Sequence, residues 1–278
     1  MSNNFGVGRT SRWQMLLVAV GAFVLVYVLW QFVDSPLLYP FRLLVTFVHE
    51  TGHGLTAVIT GGRFENFVVF DNGSGVATTR GGNPFFVIQM GYLGAALFGA
   101  TLLYTANRTH HIKALTVGLA VFFLGCAIFY TGSGFNALIG AVVIAVCWIL
   151  ALRSERWRTP LRIVALIAVV ITLILVHSNN ALMIGLIAGV VLLLLAAYAS
   201  PIVLSAALTG LAFITGLNAI NDVRFLLGNQ SAALQGTPND ALAMAMYTNT
   251  PTVLWIGLWI ALAVIVMVAA LYWAFIRR

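Results

Sequence analysis

Residues 41–59 read FRLLVTFVHETGHGLTAVI, an apolar run with His49-Glu50-Thr51-Gly52-His53 embedded in it. Its length approaches the ~20 residues that a helix needs to cross the hydrocarbon core of a bilayer. On a helix, side chains four apart share one face, so the ring nitrogens of His49 and His53 can converge on a single zinc ion. Glu50, between them, is then placed to work on a metal-bound water. A charged residue at the centre of a membrane helix costs roughly 2.5–3.5 kcal/mol on the insertion scale. A glutamate flanked by two histidines at that depth therefore calls for a chemical reason.

Working outward, the rest of the chain is of the same apolar kind. Of its 278 residues 61% are hydrophobic and 8% charged, and its mean hydropathy is +1.01. An ordinary soluble domain carries about 25% charged residues. Apolar runs lie near 15–33, 41–60, 84–106, 114–131, 135–152, 161–176, 181–199, 201–217 and 252–275. The expectation is an all-α polytopic membrane protein of about eight transmembrane helices, one run being re-entrant, in a single membrane-embedded domain over residues 1–278. The first run is long for a signal peptide and reads as a retained helix.

The net charge of +7 comes from basic residues in short loops and at the termini, among them Arg9, Arg12, Arg108, Lys113, Arg153, Arg156, Arg158, Arg162, Arg277 and Arg278. Such residues set orientation in a bilayer. No basic stripe with interleaved aromatics lies outside the apolar runs, so nucleic acid is not an expected partner. Positive-inside counting is in conflict with itself: full crossings throughout place the Arg153 to Arg162 cluster outside. A re-entrant run at 114–131 or 135–152 repairs that and moves Asp222 to the far side. Cys126 and Cys147 fall in apolar runs without metal-ligand spacing and read as small packing residues.

After the second run the pattern changes to Phe67-Val68-Val69-Phe70 and Val76-Ala77-Thr78-Thr79 around Asp71-Asn72-Gly73-Ser74-Gly75. Short β-prone segments about an Asn-Gly turn predict a β-hairpin. It serves either as a plain connection or as an edge strand that holds a substrate in extended form, with Phe67, Val68, Val69 and Phe70 as candidate substrate-binding residues.

A catalytic zinc takes three protein ligands and keeps one position open. The remaining acidic residues are Asp34, Glu65, Asp71, Glu155, Asp222 and Asp240. Glu155 sits among arginines in a loop, Asp34 reads as a helix start before Ser35-Pro36, and Glu65 and Asp71 belong to the hairpin. Asp222 follows the run 201–217 among Asn218 and Asn221 and is the first candidate for the third ligand; Asp240 is the alternative. His110, His111 and His177 read as loop or interfacial histidines.

Three stretches together resemble the peptidase M50B-like branch of the site-2-protease class of intramembrane zinc metallopeptidases. His49-Glu50-Thr51-Gly52-His53-Gly54-Leu55-Thr56-Ala57 running into Thr60-Gly61-Gly62-Arg63 is similar to that family's catalytic helix and its exit. Gly91-Tyr92-Leu93-Gly94-Ala95-Ala96-Leu97-Phe98-Gly99 resembles its glycine-rich helix. Asn221-Asp222-Val223-Arg224-Phe225-Leu226-Leu227, Asn239-Asp240-Ala241, and Thr248, Pro251 and Trp255 resemble its C-terminal pattern. The resemblance implies one zinc per chain held by His49, His53 and Asp222, with Glu50 as catalytic base. Phe225 stands where many members have a second aspartate, and Asn239 replaces a serine before Asp240.

The expected function is that of a zinc endopeptidase cutting membrane-anchored proteins within or near the bilayer, in a multi-pass protein of a bacterial cell membrane. A transport protein with a polar midplane site, or a relative that binds membrane proteins without cutting them, are the alternatives. Transporters often show internal repeats, and none is visible here. Gly52, Gly54, Gly91, Gly94 and Gly99 read first as close helix-packing positions.

Overall fold

The computed structural model describes residues 21, 38–153, 155–217 and 239–276. The first expected membrane run, apart from Gly21, and the stretch containing Asp222 lie outside them. The described chain is mostly helical, with one antiparallel hairpin. Helix α1 spans Tyr39–Ile59 and carries Pro40 in its first turn, where its fixed φ fits. It ends in a Schellman turn: Gly61 takes φ +89°, its N–H donates to the Val58 carbonyl, and the Gly62 N–H donates to the Ala57 carbonyl at 2.7 Å. The Thr60-Gly61-Gly62-Arg63 exit is thus a chain reversal, and it sends the backbone straight back along α1 as β1.

Strand β1 (Arg63–Val69) pairs antiparallel with β2 (Gly75–Arg80), with a bulge between Phe64 and Asn66. The turn uses Gly73 at φ +84°, and the Asn72 side-chain oxygen accepts from the Ser74 N–H at 3.0 Å. The turn is pinned to α1 by Thr46, whose hydroxyl donates to the Gly73 carbonyl at 2.5 Å, and to the start of a later helix by the amide of Asn180, which donates to Asp71 at 2.6 Å. The inner face of β1 buries Phe64, Phe67 and Val69. Phe67 meets Phe47 of α1 edge to face at 4.9 Å, a favourable aromatic arrangement.

The expected run 84–106 is two helices. A short α2 (Pro84–Gln89) is capped by the Asn83 side chain, and α3 (Tyr92–Arg108) follows after Met90 and Gly91. Next come α4 (Ile112–Tyr130), α5 (Gly134–Arg153), α6 (Arg158–His177), α7 (Asn180–Tyr198) and α8 (Pro201–Gly216). The described C-terminal part holds α9 (Asp240–Thr248) and α10 (Thr252–Leu271), which runs into a π-helical turn at Tyr272–Ile276.

Among the described residues four helices are long and apolar enough to cross a membrane: α4, α5, α7 and α10 with its π turn. They mark a multi-pass membrane protein. Both runs considered as re-entrant, now α4 and α5, are unbroken and belong to this set. Around them, α5 and α6 turn large apolar side chains outward, Trp148, Ile149, Leu166, Ile167, Ile171 and Leu173 among them. An apolar exterior of this kind matches lipid as the surrounding solvent.

Helix α1 is enclosed by β1, β2, α2, α3, α7 and α8, and twelve of its residues are buried. Phe47 anchors the larger core with Leu43, Phe123, Leu103, Leu182 and Leu204. A second cluster, with Tyr92, Met244, Trp255 and Trp259, joins α3, α9 and α10. The histidine face of α1 lies between these two bodies of packing.

Candidate metal centre

His49, Glu50 and His53 are all buried on α1, none more than 8% exposed. The two imidazole rings lie 4.9 Å apart, centroid to centroid, edge to face. This follows from the i, i+4 spacing. The His49 ring also meets the Tyr92 ring edge to face at 4.6 Å, and Tyr92 stacks on Trp259. His53 Nδ1 lies 2.7 Å from the Val87 carbonyl oxygen, so Nδ1 donates there, and Nε2 is the ring nitrogen available to a metal. Metal-binding histidines are oriented by this kind of outer hydrogen bond. Val87 is delivered there by α2, the short helix that the break before Gly91 creates.

Asp240 completes the group. Its Oδ2 is 2.9 Å from His49 Nε2 and 3.3 Å from His53 Nε2, and one ligand atom from each of the three residues lies within 4.8 Å of the others. Two neutral imidazole nitrogens and a carboxylate are a donor set suited to zinc, and three protein ligands leave a position open for chemistry. Close approach is possible because Gly91 faces both histidines: a Cβ there would lie 2.5 Å from His53 Nε2. The residues present fit a zinc ion.

The placement of Asp240 is built by its own short helix. Asn239 is the N-cap of α9, and its side-chain oxygen accepts from the Leu242 N–H at 2.7 Å. Asn caps about as well as Ser, so the replacement of the resembled serine preserves the function of that position. At the other end Asn249 takes the left-handed conformation at φ 55°. The Trp255 indole N–H donates to the hydroxyls of Thr248 at 3.1 Å and Thr250 at 2.7 Å, with Pro251 opening α10 between them. The Thr248, Pro251 and Trp255 pattern is therefore the corner that fixes α9 against α10 and holds Asp240 at the histidines. Asp222 lies outside the described residues.

Glu50 points to the other side of the pair, toward the hairpin. The Ala77 backbone N–H reaches its carboxylate, and Gly75 passes so close that a Cβ would lie 2.6 Å from Glu50 Oε1. Within the hairpin Phe67 and Val69 are spent on the core, whereas Val68 and Phe70 face outward, 42% and 47% exposed. β2 is the strand adjoining Glu50.

The glycines read as packing positions do pack closely. A side chain on Gly52 would run into the Met90 carbonyl, one on Gly54 into the Phe64 ring, and one on Gly99 into the α8 backbone at Ala212 and Gly216. Gly91 and Gly94 do face α1. Val87 and Gly75 carried no sequence signal, since one acts through a carbonyl and the other through the side chain it lacks.

No curated protein and no solved structure matches the chain. The model of the family described as peptidase M50B-like matches it over residues 16–157 and 138–270. The first match takes in α1, the hairpin and the Met90-Gly91 break, and the second takes in Asp240 and the Trp255 corner; the chain belongs to the peptidase M50B-like family.

Proposed function

We propose that this protein is an intramembrane zinc metalloendopeptidase that hydrolyses peptide bonds of membrane-anchored protein substrates within or near the bilayer of a bacterial cell, from a bundle of about eight crossings. The observation that carries this reading is the convergence of His49, His53 and Asp240 ligand atoms within 4.8 Å, beside a buried glutamate on the same helix. Asp240 is the third ligand in this proposal, in place of Asp222.

A bound zinc supplies Lewis acidity to the scissile carbonyl and to water. Everything else is the work of the chain. His49, His53 and Asp240 hold the ion, and Val87 fixes the His53 tautomer. Glu50 accepts a proton from the attacking water as its oxygen bonds to the carbonyl carbon. It then returns that proton to the amine nitrogen as the C–N bond breaks. Burial of the site keeps competing water away and strengthens each charge interaction within it.

The hairpin suits the substrate. A helical segment hides its peptide bonds, so a cleavable one must be extended. β1 packs on α1, α4 and α7, whereas β2 packs principally on α1 among the described residues. An open strand edge cannot face lipid, because each unpaired backbone group costs several kcal/mol there. Beside Glu50, the β2 edge is satisfied by an extended substrate that pairs with it. In this reading Val68 and Phe70 offer apolar contact, and Phe67 and Val69 support the strand from below.

The test is Glu50→Gln. The amide keeps the shape and loses the basicity, so the variant retains zinc and loses cleavage of a membrane-spanning reporter. Cleavage at the wild-type rate overturns the mechanism.

A further inference from the structure

Two glycines on different elements stand against the side chains of the site, one at the histidines and one at Glu50. Gly91 lies in the break between α2 and α3. The three atoms nearest to a Cβ built there are His49 Nε2, His49 Cε1 and His53 Nε2, the last two at 2.5 Å. Gly75 opens β2, and a Cβ there would meet Glu50 Oε1 and Thr46 Cγ2 at 2.6 Å and Glu50 Cγ at 2.8 Å. Neither position has a positive φ, so neither glycine is required by backbone conformation. In both cases all three nearest atoms belong to side chains, so helix-to-helix backbone contact is not the reason either. Gly52 differs, because its nearest neighbour is the Met90 backbone carbonyl.

We propose that Gly91 and Gly75 are positioning residues that keep open, by having no side chain, the space for the metal at the two histidines and the space for the water at Glu50, respectively. The inference rests on the zinc-peptidase reading above and divides its two ingredients between two walls. A methyl group at Gly91 occupies the volume in front of both Nε2 lone pairs. It blocks the ion itself and leaves the fold intact, since the imidazoles can rotate away. A methyl at Gly75 displaces the Glu50 carboxylate and leaves the histidines and Asp240 untouched. Gly91 therefore controls metal binding, and Gly75 controls the base alone.

Full-length wild type, Gly91→Ala, Gly75→Ala and Gly94→Ala are purified in detergent, stripped, and titrated with Co²⁺ and Zn²⁺. Co²⁺ is followed by its visible ligand-field absorption and Zn²⁺ by bound metal per chain. Far-UV circular dichroism and size exclusion report the fold. Gly94 serves as the control, because its Cβ would meet only Gly52 Cα at 3.4 Å and Met90 Cβ at 3.8 Å. Gly91→Ala loses at least about tenfold in metal affinity, the scale on which disturbed ligand orientation acts, with its fold unchanged. Gly75→Ala binds metal as wild type does and shows at least about tenfold less cleavage. Gly94→Ala binds metal normally. Wild-type metal affinity in Gly91→Ala, loss of metal in Gly75→Ala, or an unfolded Gly91→Ala each overturns the proposal. A wild type that binds no metal refutes the zinc reading instead, which keeps the two failures apart.

Discussion

Substitution of Asn239 tests how the third ligand is held. The Asn239 side chain caps α9 by accepting from the Leu242 N–H at 2.7 Å, and Asp240 is the next residue. Helix α9 has nine residues, too few to be stable by itself. Its first turn depends on this cap and on the packing of Ala241 and Met244, both fully buried. Removing a cap costs about 1 kcal/mol. If metal is bound only when that turn is formed, the two equilibria are linked, and about 1 kcal/mol corresponds to at most about a fivefold weakening of zinc. Asn239→Ala should approach that limit in a competition titration against a chelator, with the protein remaining folded. Asn239→Ser should restore wild-type affinity, because serine caps as well as asparagine. Zinc affinity unchanged in the alanine variant, or a serine variant as weak as alanine, would refute the argument that the cap positions Asp240.

Further outcomes follow from the same geometry. Trp255→Phe keeps the ring in the second core cluster and removes the indole N–H that serves Thr248 and Thr250; at about 1 kcal/mol per hydrogen bond it should lower the thermal midpoint by a few degrees and weaken zinc, read by a melting curve with and without metal. Ala77→Pro removes the N–H beside Glu50 and interrupts the β2 edge, so it should depress cleavage while bound zinc and expression stay at wild-type levels. Val69→Pro instead disturbs a buried strand position and should show its effect first as lost stability in the same melting assay. Equal behaviour of the two proline variants would remove the distinction drawn between the strands.

Much of this was legible in the sequence because the signals were local. The i, i+4 histidines with Glu50 sit on a helix, as their spacing requires, and Asn72-Gly73 forms the turn of a hairpin that begins at Arg63, earlier than the β-prone residues alone suggested. What was harder to read depends on tertiary approach. The break at Met90 and Gly91 is hidden because glycine is common within membrane helices, and apart from Gln89 the neighbouring residues are apolar or aromatic. The Val87 carbonyl has no side-chain signature. The choice between Asp222 and Asp240 was open because each follows an asparagine; among the described residues Asp240 meets His49 across 191 positions of chain, a contact that no local pattern encodes. Run length is a similarly local signal: the apolar run 84–106 is divided between α2 and α3, and the 17 residues of α3 pack against α1, α8 and α10.

The most direct measurement is bound zinc per chain, by elemental analysis of purified wild type, His49→Ala, Asp240→Ala and Asp222→Ala. The account predicts one zinc in wild type, loss of it in His49→Ala and Asp240→Ala, and retention in Asp222→Ala. Retention of zinc in Asp240→Ala together with its loss in Asp222→Ala would contradict the ligand set, and a wild type without zinc would contradict the metal centre altogether.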